Sequence, residues 1–270
     1  MMRFNPLIYT VAGLITIFGC KSEPPHQTAK LQTKVTINGL DDEWQNKFVY
    51  DKASKFQYAV TEDEQNLYLI TKVQDESLRK KIMLYGLTTW IDTTGKSKEK
   101  IAIKYPIGLL SEGKNSGSYQ PIRQENEQEM NQLFMKNNLN LELRGFRGME
   151  AYGKEYLKIS SKTQNGINAA YAIDSLGTFI YEIQIPFSFL TQAKHGAVAQ
   201  NYSITFRTGS ISGLNENEFG PSPSQRTQGG SMLNGNGMGG RTKPVGLTDK
   251  EIQEMIYMGD PTEVKVNVEL

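Results

Sequence analysis

Cysteine and histidine are nearly missing from this chain: one Cys, Cys20, and two His, His26 and His195, among 270 residues. A single Cys excludes an internal disulfide framework and a Cys-based zinc site. Two separated His leave little for imidazole catalysis. No GxSxG or HExxH occurs, and no glycine loop stands between a strand and a helix at phosphate-cradling spacing. The expectation is therefore a protein that is not an enzyme. Charge of one sign is missing too, since 30 Lys and Arg stand against 29 Asp and Glu. That balance removes the electrostatic footprint of a nucleic-acid-binding surface. Tryptophan is scarce, with only Trp44 and Trp90.

One apolar run is present, from Leu7 to Phe18, preceded by Arg3. It is shorter than the roughly 20 residues a membrane-spanning helix needs. Its charge and length are those of a signal peptide over residues 1–19. The end of the run, Ile17-Phe18-Gly19-Cys20, resembles the bacterial lipobox, in which a small residue precedes the Cys that is lipidated and becomes the new amino terminus. The resemblance implies lipidation of Cys20; an unpaired thiol behind an uncleaved anchor is the alternative. Acyl chains contribute about 0.8 kcal/mol per buried methylene, enough in combination for lasting attachment to a bilayer. Residues 20–32 then read as the lipidated Cys and a tether, with Pro24, Pro25 and few apolar side chains to bury. Asp does not follow Cys20, which favours the outer membrane, on its periplasmic or cell-surface side.

Residues 33–270 carry period-two alternation almost throughout. Lys34 to Ile37 reads as a short strand and Asn38-Gly39 as a tight turn. Phe56, Tyr58 and Val60 alternate, and Leu67 to Val73 returns as a nearly continuous apolar strand. Asp75 to Gly86 has the end signals of a short helix. Leu87 to Asp92 pairs with Ile101, Ile103 and Tyr105 as a hairpin. Gln124 to Lys136 reads as a helix with Met130, Leu133 and Phe134 on one stripe, followed by strands with Leu139, Leu141 and Leu143, with Tyr152 to Ile159, with Ile167, Ala169, Tyr171 and Ile173, with Phe179 to Ile185, and with Tyr202, Ile204 and Phe206. Ten of the 25 glycines fall in 209–246, which reads as a long flexible Gly-rich insertion. Thr248-Asp249-Lys250-Glu251 is a capping box opening a helix, and Val264, Val266, Val268 and Leu270 form a closing strand. The fold class is mostly β: a single antiparallel β-sandwich, jelly-roll or immunoglobulin-like, with a few short helices.

Three stretches, INGLDDEW (37–44), NLYLITKVQD (66–75) and FIYEIQIPFSFL (179–190), resemble motifs of the family 9 carbohydrate-binding modules and the wider DOMON-like sandwich superfamily, bracketing about residues 33–208. The resemblance implies a β-sandwich and carbohydrate recognition. Sugar-binding members enclose a terminal sugar between two tryptophans. Here Trp44 occupies the motif position of a structural residue, so that clamp does not carry over. Trp90 with Tyr105, Tyr171 or Arg144 offers a different platform, with Asp92 or Arg144 at its polar edge; packing in the core or on a sheet face is the alternative for each. Calcium occurs in related modules, and Asp41, Asp42, Asp92 and Glu62 supply oxygen in turns, although Asp41, Asp42 and Glu43 also read as turn residues. Haem, bound by some DOMON-like proteins, would need axial Met or His ligands on ordered elements, and of the two His, His26 sits in the tether and His195 is isolated.

The functional expectation is a lipid-anchored extracytoplasmic binding protein recognising carbohydrate. Its alternative is a non-catalytic scaffold or assembly lipoprotein of the outer membrane that binds protein partners. Replacing Cys20 tests the anchor directly: Cys20→Ser is expected to leave the detergent phase for the aqueous phase and to lose the lipid mass from its amino-terminal peptide. Unchanged partitioning with Met1 retained would refute lipidation.

Overall fold

Apolar alternation resolves into two sheets facing one another across a shared core. The computed structural model describes residues 26–27, 35–44, 47–94, 98–110, 124–137, 139–163, 166–190, 201–211 and 248–269. The expected leader, Cys20 and nearly all of the expected 209–246 insertion lie outside the described residues. The small sheet holds β2 (Val49–Tyr50), β3 (Gln57–Glu62), β4 (Asn66–Val73), β9 (Asn168–Ile173) and β10 (Phe179–Pro186) in the order β2-β3-β4-β10-β9. The large sheet holds β1 (His26–Gln27), β5 (Leu87–Asp92), β6 (Ile101–Lys104), β7 (Asn140–Arg144), β8 (Leu157–Ser160), β11 (Asn201–Thr208) and β12 (Glu263–Glu269) in the order β1-β12-β11-β5-β6-β7-β8. All of these pairings are antiparallel except β1 with β12, which sets His26 and Gln27, inside the expected tether, beside Val268 and Glu269. This is the expected mostly-β sandwich.

The strands form where β-branched and aromatic residues alternate. Their inward set fills one core: Phe56, Tyr58 and Val60 from β3 and its approach, Leu67, Leu69 and Val73 from β4, Leu87 and Ile91 from β5, and Val264, Val266 and Val268 from β12. Helix α1 (Glu76–Tyr85) starts at Asp75, whose carboxylate accepts the N–H of Leu78 at 2.9 Å, and stops at Gly86, with φ 81°. It inserts Leu78, Ile82 and Met83 into the core. Helix α2 (Gln124–Asn137) and the short α3 (Phe187–Leu190) contribute Phe134, Phe187 and Leu190. Helix α4 (Asp249–Gly259) lies against α1, where buried Lys81 donates to the carbonyls of Tyr257, at 2.7 Å, and Asp260, and to Thr262 Oγ1 at 3.1 Å. A lysine so placed neutralises the negative end of α4.

The small sheet also buries the middle of its outer face, under residues 35–44. Val35, Trp44, Ala59, Tyr68, Ile70 and Ile180 form a second apolar cluster there. At its centre is Glu182, fully buried on β10 between Ile70 and Ala170 in the register. Glu182 accepts the N–H of Asn38 at 3.0 Å, of Gly39 at 2.7 Å and of the Trp44 indole at 2.8 Å. Gly39 has φ 82°, and a Cβ there would stand 2.7 Å from the backbone of Tyr171, so the turn tolerates only glycine on both counts.

Several local expectations are corrected. Residues 35–37 join no ladder, because Glu182 draws the turn behind them down onto the sheet face. Tyr152 to Ile159 is not one strand: Glu150–Tyr152 is a 3-10 turn, Gly153 reverses the chain at φ 57°, and pairing begins at Leu157. Leu133 and Leu139 are 45% and 70% exposed, since Phe134 takes the core position of α2 and pairing of β7 starts beyond Leu139.

The Glu182 anchor generates two stability predictions. Trp44→Ala is expected to cost about 3–5 kcal/mol, the range for deleting a fully buried large aromatic. Glu182→Gln keeps the shape but offers one oxygen, so its NH2 must face either the indole N–H or the two backbone N–H groups. A loss of about 1–3 kcal/mol is expected from the donor left unpaired. Chemical denaturation of the two variants measures both, and a wild-type midpoint for Glu182→Gln would show the anchor to be dispensable.

Candidate functional site on the outer face of the large sheet

The side chains of β5 alternate strictly, so Leu87, Thr89 and Ile91 enter the core while Thr88, Trp90 and Asp92 face outward. Across the sheet Trp90 pairs with Thr205 on one side and Ala102 on the other, and Ala102 pairs with Arg144. Trp90 and Arg144 are thus two strands apart, roughly 9.6 Å of sheet. They meet because the residue between them is alanine. Over fully buried Ala102 the indole and the guanidinium fold together, with Arg144 Cζ 5.4 Å from the Trp90 ring centroid. Arg144 Cζ also lies 5.9 Å from the ring of Tyr156, the residue just before Leu157, where pairing with β7 begins. The result is a half-buried strip, Trp90–Arg144–Tyr156, holding a cation between two rings. Burial pushes the Tyr156 phenol above its ordinary pKa, while Arg144 beside it acts the other way.

One register step along runs a row of paired charges. Arg207 bridges Glu263 at 2.6 Å and Glu99 at 2.5 Å, and Lys104 meets Glu142 at 3.3 Å. Among the described residues no carboxylate makes an ion pair with Arg144. Its guanidinium has five N–H donors and is flanked by the rings of Trp90 and Tyr156.

The other residues expected at the site lie elsewhere. Asp92 shares the outer face but is 4% exposed, and its carboxylate accepts the N–H of Thr94 at 3.0 Å and of Lys98 at 2.9 Å, so it shapes its own turn. Tyr105 and Tyr171 are core residues, with rings 5.6 Å apart in an edge-on pair. The Tyr171 hydroxyl donates to the carbonyl of Phe134 at 3.2 Å. Both belong to inward-facing sets and cannot reach the outer strip without crossing the sheet. The oxygen ligands expected for calcium do not converge: Asp41 pairs with Lys72 at the small sheet, Glu62 ends β3, and Asp92 is on the large sheet. Among the described residues no group of three or more His, Cys, Asp or Glu could hold a metal ion. Among them, too, no helix is long and apolar enough to cross a membrane.

Tyr156 escaped sequence reasoning because its position opposite Arg144 depends on where pairing begins. Two clefts on the small sheet, of about 350 and 520 Å³, were equally unforeseen; they share Asn168 and Gln184. Asn168 is largely engaged in its own loop, accepting from Thr163 N–H at 2.7 Å and donating to Gly166 at 3.3 Å. These clefts offer amides, whereas the large-sheet strip combines aromatic area with a cation.

No family model and no curated protein matches the chain. Among solved structures it is similar to a carbohydrate-binding module of family 9 from Caldicellulosiruptor kristjanssonii in complex with glucose, at 11% identity and a TM-score of 0.30, over 68% of this chain and 76% of that one. At that level of likeness the functional reading rests on the geometry above.

The two tryptophans differ in environment, which makes the site measurable before any ligand is found. In Trp44→Phe the remaining Trp90 emission is expected to be readily quenched by acrylamide. In Trp90→Phe the buried Trp44 is expected to resist. Equal quenching of the two variants would contradict the placement of Trp90 on an open face.

Proposed function

We propose that this protein is an exported, lipid-anchored binding protein of the bacterial outer membrane that recognises carbohydrate through the Trp90–Arg144–Tyr156 strip. The observation that carries the reading is the juxtaposition of two aromatic rings and a guanidinium on an outward sheet face. A pyranose presents a C–H face to an aromatic ring and hydroxyls at its rim. A strip with rings for the first and N–H donors for the second answers both requirements, and the sheet register places Trp90 and Arg144 within reach of each other. Anchoring through Cys20 follows from the Gly19-Cys20 pattern and would hold this face at the membrane surface. The proposed role is capture and not turnover.

Glycan-array screening followed by calorimetry tests the reading. Wild type is expected to bind at least one saccharide class. Trp90→Ala should weaken that binding by about 2- to 150-fold, the equivalent of roughly 0.5–3 kcal/mol. Trp44→Phe, if folded, should bind as wild type does. Absence of binding across neutral and acidic saccharides alike would reject the carbohydrate reading and leave the scaffold role.

A further inference from the structure

We infer that the strip selects an anionic saccharide, one carrying a carboxylate or sulfate ester on or next to the ring that stacks; the inference rests on the carbohydrate reading and narrows it. The reason is a mismatch in charge pairing on the sheet face. Arg207 has Glu99 and Glu263, Lys104 has Glu142, and Lys265 has Glu263. Arg144, half-buried beside two rings, pairs with no carboxylate among the described residues.

Guanidinium keeps its charge under any physiological condition, so the site is permanently cationic whatever surrounds it. The two ring faces lie within cation–π reach of the ion and offer no acceptor to the N–H groups in its plane. A carboxylate or sulfate can accept two parallel N–H bonds from its edge, which makes a contact about twice as strong as a neutral hydroxyl can make. One register step away Lys104 is bridged to Glu142 at 3.3 Å, so that pair brings no unpaired charge to the strip and Arg144 alone supplies the cation. A uronate brings its acid on the same ring whose C–H face meets Trp90. Lysine in place of Arg144 could supply the charge, but not the planar fork.

Calorimetric titration of the full protein with oligogalacturonate, a sulfated oligosaccharide, a neutral oligosaccharide of equal length and a polyglutamate peptide tests the inference. One of the two acidic saccharides, or both, should bind at least about tenfold more tightly than the neutral one. Arg144→Gln should abolish that preference and Arg144→Lys should retain only part of it, with thermal melts confirming that both fold. Lys158→Ala, which removes an exposed charge from the same face, should change affinity by less than about twofold if geometry and not bulk charge decides. Equal binding of neutral and acidic saccharides, or acidic binding indifferent to Arg144→Gln, would overturn the inference while leaving carbohydrate recognition standing. Polyglutamate binding as tight as oligogalacturonate would overturn it in favour of charge alone. No saccharide binding of any kind would overturn the carbohydrate reading itself.

Discussion

The carboxylate of Glu182 is the constraint on which the arrangement of this molecule depends. It sits on the central strand pairing of the small sheet and gathers the N–H groups of Asn38, Gly39 and Trp44, far away in sequence. Burial holds its pKa above the ordinary carboxylate range despite those three donors. The donors therefore do not fully replace the water the carboxylate gave up. An isolated buried acid of this kind adds little net stability, yet losing any one partner is expensive, and the interaction acts mainly to specify a single position for the turn. With the turn fixed, Trp44 closes the middle of the small sheet's outer face. The large sheet is left as the face on which side chains can meet solvent.

On that face the decisive residue is the smallest. Ala102 contributes no functional group, but it lets side chains from β5 and β7 meet across β6. A leucine there would separate the indole from the guanidinium. The row of ion pairs one step along holds the neighbouring strands in register and keeps their charges mutually satisfied, so Arg144 differs from its neighbours in pairing and not in kind.

Much of the fold was legible because burial imposes period two on a strand and 3.6 on a helix. The inward faces of β3, β5, β10 and β12 follow directly from Phe56-Tyr58-Val60, Leu87-Ile91, Phe179-Tyr181-Ile183 and Val264-Val266-Val268. The same parity could have placed two of the expected site residues: Tyr105 continues the inward set of Ile101 and Ile103, and Tyr171 that of Ile167 and Ala169, so neither could share a surface with Trp90. What no spacing reveals is register between strands separated by long connections. Arg144 lies across from Ala102, and Tyr156 beside Arg144, only because of where β7 and β8 start to pair. Glu182 was hidden for a related reason, since an acid between Tyr181 and Ile183, both in the core, reads as solvent-facing until residues 35–44 are seen to cross over it.

The pairings that join the halves of each sheet also set an order of events. Asp92 meets Ser203 in the large sheet, and Leu69 meets Ile183 in the small one. During synthesis the hairpins β3–β4 and β5–β6 are available early, but neither sheet can join its two halves until β10 and β11 have emerged, and β12 and α4 come later still. Contacts so distant in sequence close slowly. Until they do, β4 and β5 expose unpaired edges and apolar faces, a condition in which a chain of this topology is prone to aggregate.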